Sequence, residues 1–229
     1  MSKMEFMVND TLLTEACLAL SKRTQLYWIV GGAGSGKTTV SQALSTKFEI
    51  PIYDMDEHIY GAYHHRFTYE RHPMNKAWST SENSLAWLLE MTWEEFNHFN
   101  QAALPEYVDL LVEDIQGMEP NGSLIIDGGI SNPALVAQVL PRNQIICLAM
   151  PEQTSADVWE ANEERRAMKA LIYALPEREK AWLKFLEFDR WITQTILEES
   201  RGNDLAVCSR KKQESLDEFS ARVAQVLGL

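Results

Sequence analysis

The stretch Leu26–Thr38 constrains the fold more than any other. Five apolar residues, Leu26-Tyr27-Trp28-Ile29-Val30, run straight into Gly31-Gly32-Ala33-Gly34-Ser35-Gly36-Lys37-Thr38. An uninterrupted apolar run closed by glycines reads as a strand buried on both faces, because alternation disappears when neither face meets water. Thr38–Phe48 then reads as a helix. The same rhythm returns along the chain. Further strands are expected at Ile50–Tyr53, at Ser123–Ile126 after an Asn121-Gly122 turn, at Gln144–Ala149 and at Leu205–Cys208. Strands that alternate with helices and are apolar throughout predict an α/β fold, a parallel sheet with helices on both faces.

Local signals place the helices. Leu12, Ala16, Ala19 and Leu20 share one side of an N-terminal helix over 9–22. Asn132-Pro133 has the form of an N-cap followed by proline at the first helical position. Ser215 to Glu218 is a capping box opening a last helix to Leu227. Two long helical stretches interrupt the strand–helix rhythm, 58–118 and 154–200. In the first, Thr92-Trp93-Glu94-Glu95 is a second capping box, and the helix it opens is expected to reach Ile115 with a kink or break at Pro105. In the second, Pro176 is expected to start a new helix. The simplest organisation is one domain over 1–229, with a substrate-side helical insertion at 58–118 and a lid-like helical region at 154–200.

The glycine-rich string matches G-x-x-x-x-G-K-[ST] at every required position, between an apolar strand and a helix. Its glycines let the backbone wrap a phosphate, and successive N–H groups with the helix N-terminus attract the anion. Gly31, Gly32, Ala33, Gly34, Ser35, Gly36, Lys37, Thr38 and Thr39 are therefore the expected nucleotide-binding residues. Lys37 is placed to reach β- and γ-phosphates, and the Thr38 hydroxyl to ligate Mg²⁺, so Mg·ATP is the expected ligand. Asp54-Met55-Asp56 follows the second strand. One carboxylate there suits Mg²⁺, and the other suits general-base work on a hydroxyl. The plainer reading is an acidic turn capping a helix that starts near Glu57. Asp127, after the third strand, fits a second carboxylate contacting Mg²⁺ through water, in competition with Asp54.

Gly31–Thr38, Asp54-Met55-Asp56 and Asp127-Gly128-Gly129 together resemble the shikimate kinase and nucleoside monophosphate kinase-like group of P-loop kinases. The resemblance covers about half the chain, the sheet-forming segments. It implies a P-loop NTPase fold, five parallel strands in the order 2-3-1-4-5, with ATP and Mg²⁺ as cofactors. It also implies that Asp54 assists the metal, that Asp56 holds or deprotonates the acceptor hydroxyl, and that Gly128 and Gly129 contact the acceptor. Asp-Gly-Gly stands where shikimate kinases carry three glycines, and the first insertion is long and aromatic, so shikimate is not the expected acceptor. Kinases of this group close a lid and supply arginines. Arg165 and Arg166 are the candidates here, with a salt-bridged exposed helix as the alternative. Arg66 and Arg71 suit an anionic group on the substrate, or else a surface role. The Trp-rich helices at Leu85–Phe99 and Trp159–Trp191 serve as core or as a homodimer interface.

Composition narrows the partners. The 229-residue chain carries a net charge of −12, which repels nucleic-acid polymers and anionic membranes. No run approaches the roughly 18 apolar residues of a membrane span, and no targeting segment is expected. Cys17, Cys147 and Cys208 are widely spaced without a CxxC pair, which fits a reducing cytoplasm. The histidine spacing matches no familiar transition-metal site. Three functions remain open: a small-molecule kinase phosphorylating a hydroxyl, a nucleoside or nucleotide kinase, and a nucleotide-dependent regulatory ATPase. Asn75-Lys76-Ala77-Trp78 lacks the Asp of a guanine-reading NKxD, which disfavours a GTPase.

Overall fold

A computed structural model describes residues 5–23, 25–118, 122–150, 152–161 and 163–229. Asn121, in the turn expected before the third strand, lies outside them. The order is α1 (Asp10–Leu20), β1 (Leu26–Val30), α2 (Lys37–Phe48), β2 (Ile52–Asp54), α3 (Met55–Tyr60), α4 (Pro73–Ser79), α5 (Ser84–Glu90) and α6 (Trp93–Gln116). It continues with β3 (Leu124–Asp127), α7 (Pro133–Val136), β4 (Ile145–Ala149), α8 (Ser155–Glu160), α9 (Glu163–Tyr173), α10 (Arg178–Gly202), β5 (Ala206–Ser209) and α11 (Leu216–Leu227).

The five strands form one parallel sheet in the order β2-β3-β1-β4-β5, the order expected. The central strand β1 shows why its sequence is apolar at every position. Leu26, Trp28 and Val30 enter one core with α1 and α6, while Tyr27 and Ile29 enter the opposite core with α2 and α11. Register then aligns the strand ends: Asp54 pairs with Asp127, and Asp127 with Ile29. The helices of 58–118 share the first core, through Tyr63, Phe67, Trp78, Phe96 and Phe99.

Four local expectations are corrected. β2 starts after Pro51, because proline has no N–H to donate and Ile50 N–H bonds back to Ser45 O of α2 (3.3 Å). α6 is one continuous helix through Pro105, with Ala102, Ala103, Leu104 and Pro105 all buried. Their packing offsets the roughly 3 kcal/mol that an internal proline costs. The Asn132 side chain does not cap α7. It donates to Asn97 and Glu199, and the other Glu199 oxygen accepts from Ala134 N–H at 3.0 Å. The new helix near Pro176 begins at Arg178, with Glu177 as its N-cap. The Trp-rich helices pack within the chain: Trp93 stacks on Trp191 at 6.0 Å, and Trp159 meets Phe185 edge-on at 4.8 Å. No described helix is long and apolar enough to cross a membrane.

One buried carboxylate ties the insertion together. Glu106 of α6, 1% exposed, accepts from the N–H groups of Met74 (3.0 Å) and Asn75 (2.8 Å), capping α4 from another helix. Burial outweighs those donors and pushes its pKa up to about 7. A carboxyl with a raised folded pKa holds its proton after the unfolded chain has released it. The folded state therefore loses stability as pH rises from about 4.5 to 7. Between pH 5 and 8, denaturant titration is expected to show wild type losing about 2–3 kcal/mol more than Glu106→Gln. Parallel pH profiles would remove Glu106 as the source of the dependence.

Candidate functional site

The site lies at the carboxyl edge of the sheet, where β1, β2 and β3 end side by side. In open parallel sheets this edge collects the loops that bind ligands. Gly31–Gly36 links β1 to α2, and Gly36 serves as N-cap of α2 at φ +87°. That left-handed backbone is strained for any side chain, so glycine there lets the loop enter the helix directly. Lys37 opens α2 and donates from Nζ to the carbonyls of Gly31 (2.8 Å) and Gly32 (3.2 Å). Thr38 and Thr39 follow in the first turn and are exposed.

Asp127 stands beside this turn. It is 3% exposed, and its Oδ1 has no hydrogen-bond partner. Burial raises its pKa, against the opposing pull of the Thr38 hydroxyl and the Lys37 ammonium. Buried Ser35 also keeps an unpartnered Oγ. Buried polar atoms without partners are uncommon in folded proteins, and two flank this loop.

Asp54 does what the plainer sequence reading described: its Oδ1 accepts from Glu57 N–H at 3.0 Å and caps α3. Asp56 therefore lies inside the first turn of α3, facing the turn after β3. Gly128 shows the closeness. A Cβ built there would lie 2.5 Å from Asp56 Oδ2 and 3.5 Å from Lys37 Cε, at φ +70°. Any side chain would displace the carboxylate. Trp28 Nε1–H holds this turn from β1 by donating to Gly128 O at 3.0 Å. Asp56 is exposed to solvent on one side and faces the Gly128 turn on the other. Burial raises its pKa most, Lys37 opposes, Asp54 and Asp127 raise it further, and Gly129 N–H lowers it. Lys37, Asp54, Asp56, Asp127, Gly128 and Gly129 thus come together as expected.

The four arginine candidates separate. Arg66 donates to Asp114 (2.6 Å) and Glu113 (3.0 Å) of α6. Arg71 donates to Asp109 through Nε (2.6 Å), and through its second nitrogen to Glu15 of α1 (2.8 Å). Arg66 ties the start of the insertion to its own helix α6, and Arg71 ties it to α6 and to α1 outside it, so the surface role expected as their alternative describes them better than substrate contact. Arg165 lies over Trp159, with its guanidinium 5.6 Å from the ring centre, and 3.5 Å from Val158 O. Val158 reaches the loop, since a Cβ on Gly34 would lie 2.6 Å from Val158 Cγ2. Arg166 is exposed.

A cleft of about 850 Å³ opens on the other flank of the loop, between β4, α8 and α10. Gly32, Ala33 and Ser35 line it together with Gln153, Asp189 and Thr193. Sequence reasoning missed Asp189 and Thr193. Asp189 is buried, and burial raises its pKa against the pull of Ser155, Trp159 and Arg165. A signal existed: Asp189 falls in the apolar stripe Trp182, Phe185, Ile192, Ile196 of α10, where a carboxylate is out of place.

Among the described residues, no group of three or more His, Cys, Asp and Glu is arranged to hold a metal ion by itself. No family model matches the chain, and no curated protein matches it. Among solved structures it is similar to TT1252 from Thermus thermophilus, at 19% identity over 90% of this chain and 97% of that one, with a TM-score of 0.47. Likeness at that level carries no chemistry from one chain to the other.

Proposed function

We propose that this protein is a P-loop kinase that binds Mg·ATP at Gly31–Thr38 and moves the γ-phosphoryl group to a hydroxyl of a small molecule. The observation that carries the reading is the convergence of Lys37, Asp127 and Asp56 around one turn. A loop that only bound phosphate would have no use for a carboxylate held against Gly128, across the turn from Lys37.

The chemistry divides among the residues. The loop N–H groups and the α2 terminus receive the phosphates. Lys37 leaves the Gly31 and Gly32 carbonyls and meets the β- and γ-phosphates. The Thr38 hydroxyl and the unpartnered Asp127 oxygen fit Mg²⁺, which would neutralise phosphate charge and take its remaining ligands from ATP and water. The acceptor oxygen bonds to the γ-phosphorus while the bond to the β-bridging oxygen breaks, and ADP leaves with that electron pair. The hydroxyl proton passes to Asp56, whose raised pKa suits it as a base. Arg165 packs on Trp159 next to Val158, which reaches the loop at Gly34, so it is the lid-region cation proposed to face the developing charge. The cleft beside Gly32 and Thr193 has room for the nucleoside.

A thermal-shift series tests this. Mg·ATP is expected to raise the melting temperature of the wild-type chain, because a ligand that binds only the folded state stabilises it. Addition of a true acceptor should then yield ADP in proportion. No shift with Mg·ATP at millimolar concentration would overturn the reading.

A further inference from the structure

Asp56 faces the turn after β3, and two tyrosines, Tyr60 and Tyr107, lie within reach of its charge. Asp56 and Tyr60 stand four residues apart on α3, so their side chains share a face, and the Asp56 charge acts on the Tyr60 phenol. Tyr60 is 68% exposed, held at one edge by Trp78 at 5.9 Å and 79°. Tyr107 of α6, half-buried and tilted on Phe67 at 6.0 Å, lies within the field of the Asp56 carboxylate. Gly128 and Lys37 form the floor, next to the buried, unpartnered Asp127 oxygen.

Lys37, the cation beside Asp56, belongs to the phosphates in the proposed function, and the insertion adds few others. Between His58 and Met118 the chain has three Lys and Arg residues against nine Asp and Glu. Arg66 and Arg71 are held by carboxylates of α6 and α1. Lys76, on α4, is the third. Burial lowers the proton affinity of His64, which packs edge-on against Trp78 at 4.8 Å. A phosphate or carboxylate on the acceptor would enter beside Asp54 and Asp56, where no described arginine is among the charges acting on Asp56, and like charges at short range oppose binding. An ammonium group meets the reverse: an open phenol face and a carboxylate on the same side of one helix.

We propose that the acceptor is a small hydroxyl compound bearing a protonated amine, with its ammonium against the Tyr60 ring in the field of Asp56, and that phosphorylated or carboxylated acceptors are refused. This rests on the kinase reading above.

The test uses the full chain, Mg·ATP and matched acceptors: glucosamine, glucose, glucose 6-phosphate and gluconate, and in parallel ethanolamine, glycerol and glycerol phosphate. ADP formation is expected to show a KM about tenfold lower for the amine than for its neutral parent, with no turnover of the anions. Tyr60→Leu should raise the KM for the amine about tenfold and erase its advantage over the neutral parent, whereas Tyr60→Phe keeps the ring face and the preference. Tyr60 is exposed, so these variants should melt like wild type. Preference for an anionic or neutral acceptor overturns the proposal, as does an amine preference indifferent to Tyr60→Leu. ATP binding without ADP formation from any acceptor also overturns it and leaves nucleotide binding standing. Loss of ATP binding itself would remove the kinase reading instead.

Discussion

Lys37→Ala is expected to weaken Mg·ATP binding about 100-fold by titration calorimetry and to leave no measurable transfer. Among the described residues, Lys37 supplies the ammonium placed at both the loop carbonyls and the Asp56–Asp127 cluster. A charge-assisted contact to phosphate is worth about 1.5–3 kcal/mol, and Lys37 is positioned for two. The substitution should not unfold the chain. Lys37 is half-buried at the site rim, and its side-chain bonds go only to the carbonyls of Gly31 and Gly32. An unchanged ATP affinity would sink the assignment of the loop.

Asp56→Asn should give the opposite split. Transfer is expected to fall about 1,000-fold, within the usual range for a lost general base, while ATP affinity stays within about threefold. Asn keeps the shape that Gly128 accommodates and can still accept from Gly129 N–H, so the recess keeps its form. What disappears is the carboxylate that takes the proton. Full transfer by this variant would rule out proton acceptance by Asp56. The two substitutions together separate a nucleotide site from a reaction site.

Arg66 and Arg71 mark the limit of reading charge from a sequence. Both stand in the run Arg66-Phe67-Thr68-Tyr69-Glu70-Arg71, inside the insertion expected to hold the substrate. Their partners are about 40 to 56 residues away: Glu113 and Asp114 for one, Asp109 and Glu15 for the other. Nothing local tells an arginine that clamps a helix from one that waits for a ligand. The same holds for Asp54. Its position after a strand suits a metal, and its position before Glu57 suits a cap. The observed bond is the cap.

Local patterns were sufficient for the strands, the helices with their capping boxes at Thr92 and Ser215, and the loop from Gly31 to Thr38. Each depends on residues within one turn or one strand, where side-chain periodicity and backbone hydrogen bonding act directly. The sequence therefore determined the alternating α/β plan, the strand order implied by resemblance, and the nucleotide loop as the candidate site. Tertiary structure alone decided which distant groups meet. Parallel register set Asp54 beside Asp127, α3 turned Asp56 toward Gly128, and α10 carried Asp189 and Thr193 to the cleft beside the loop. It also placed Arg66 and Arg71 in ion pairs and left Tyr60 facing water. The reason is physical: burial and the fields of groups far apart in the chain exist only after folding, and they decide whether a carboxylate becomes a cap, a base or a metal partner.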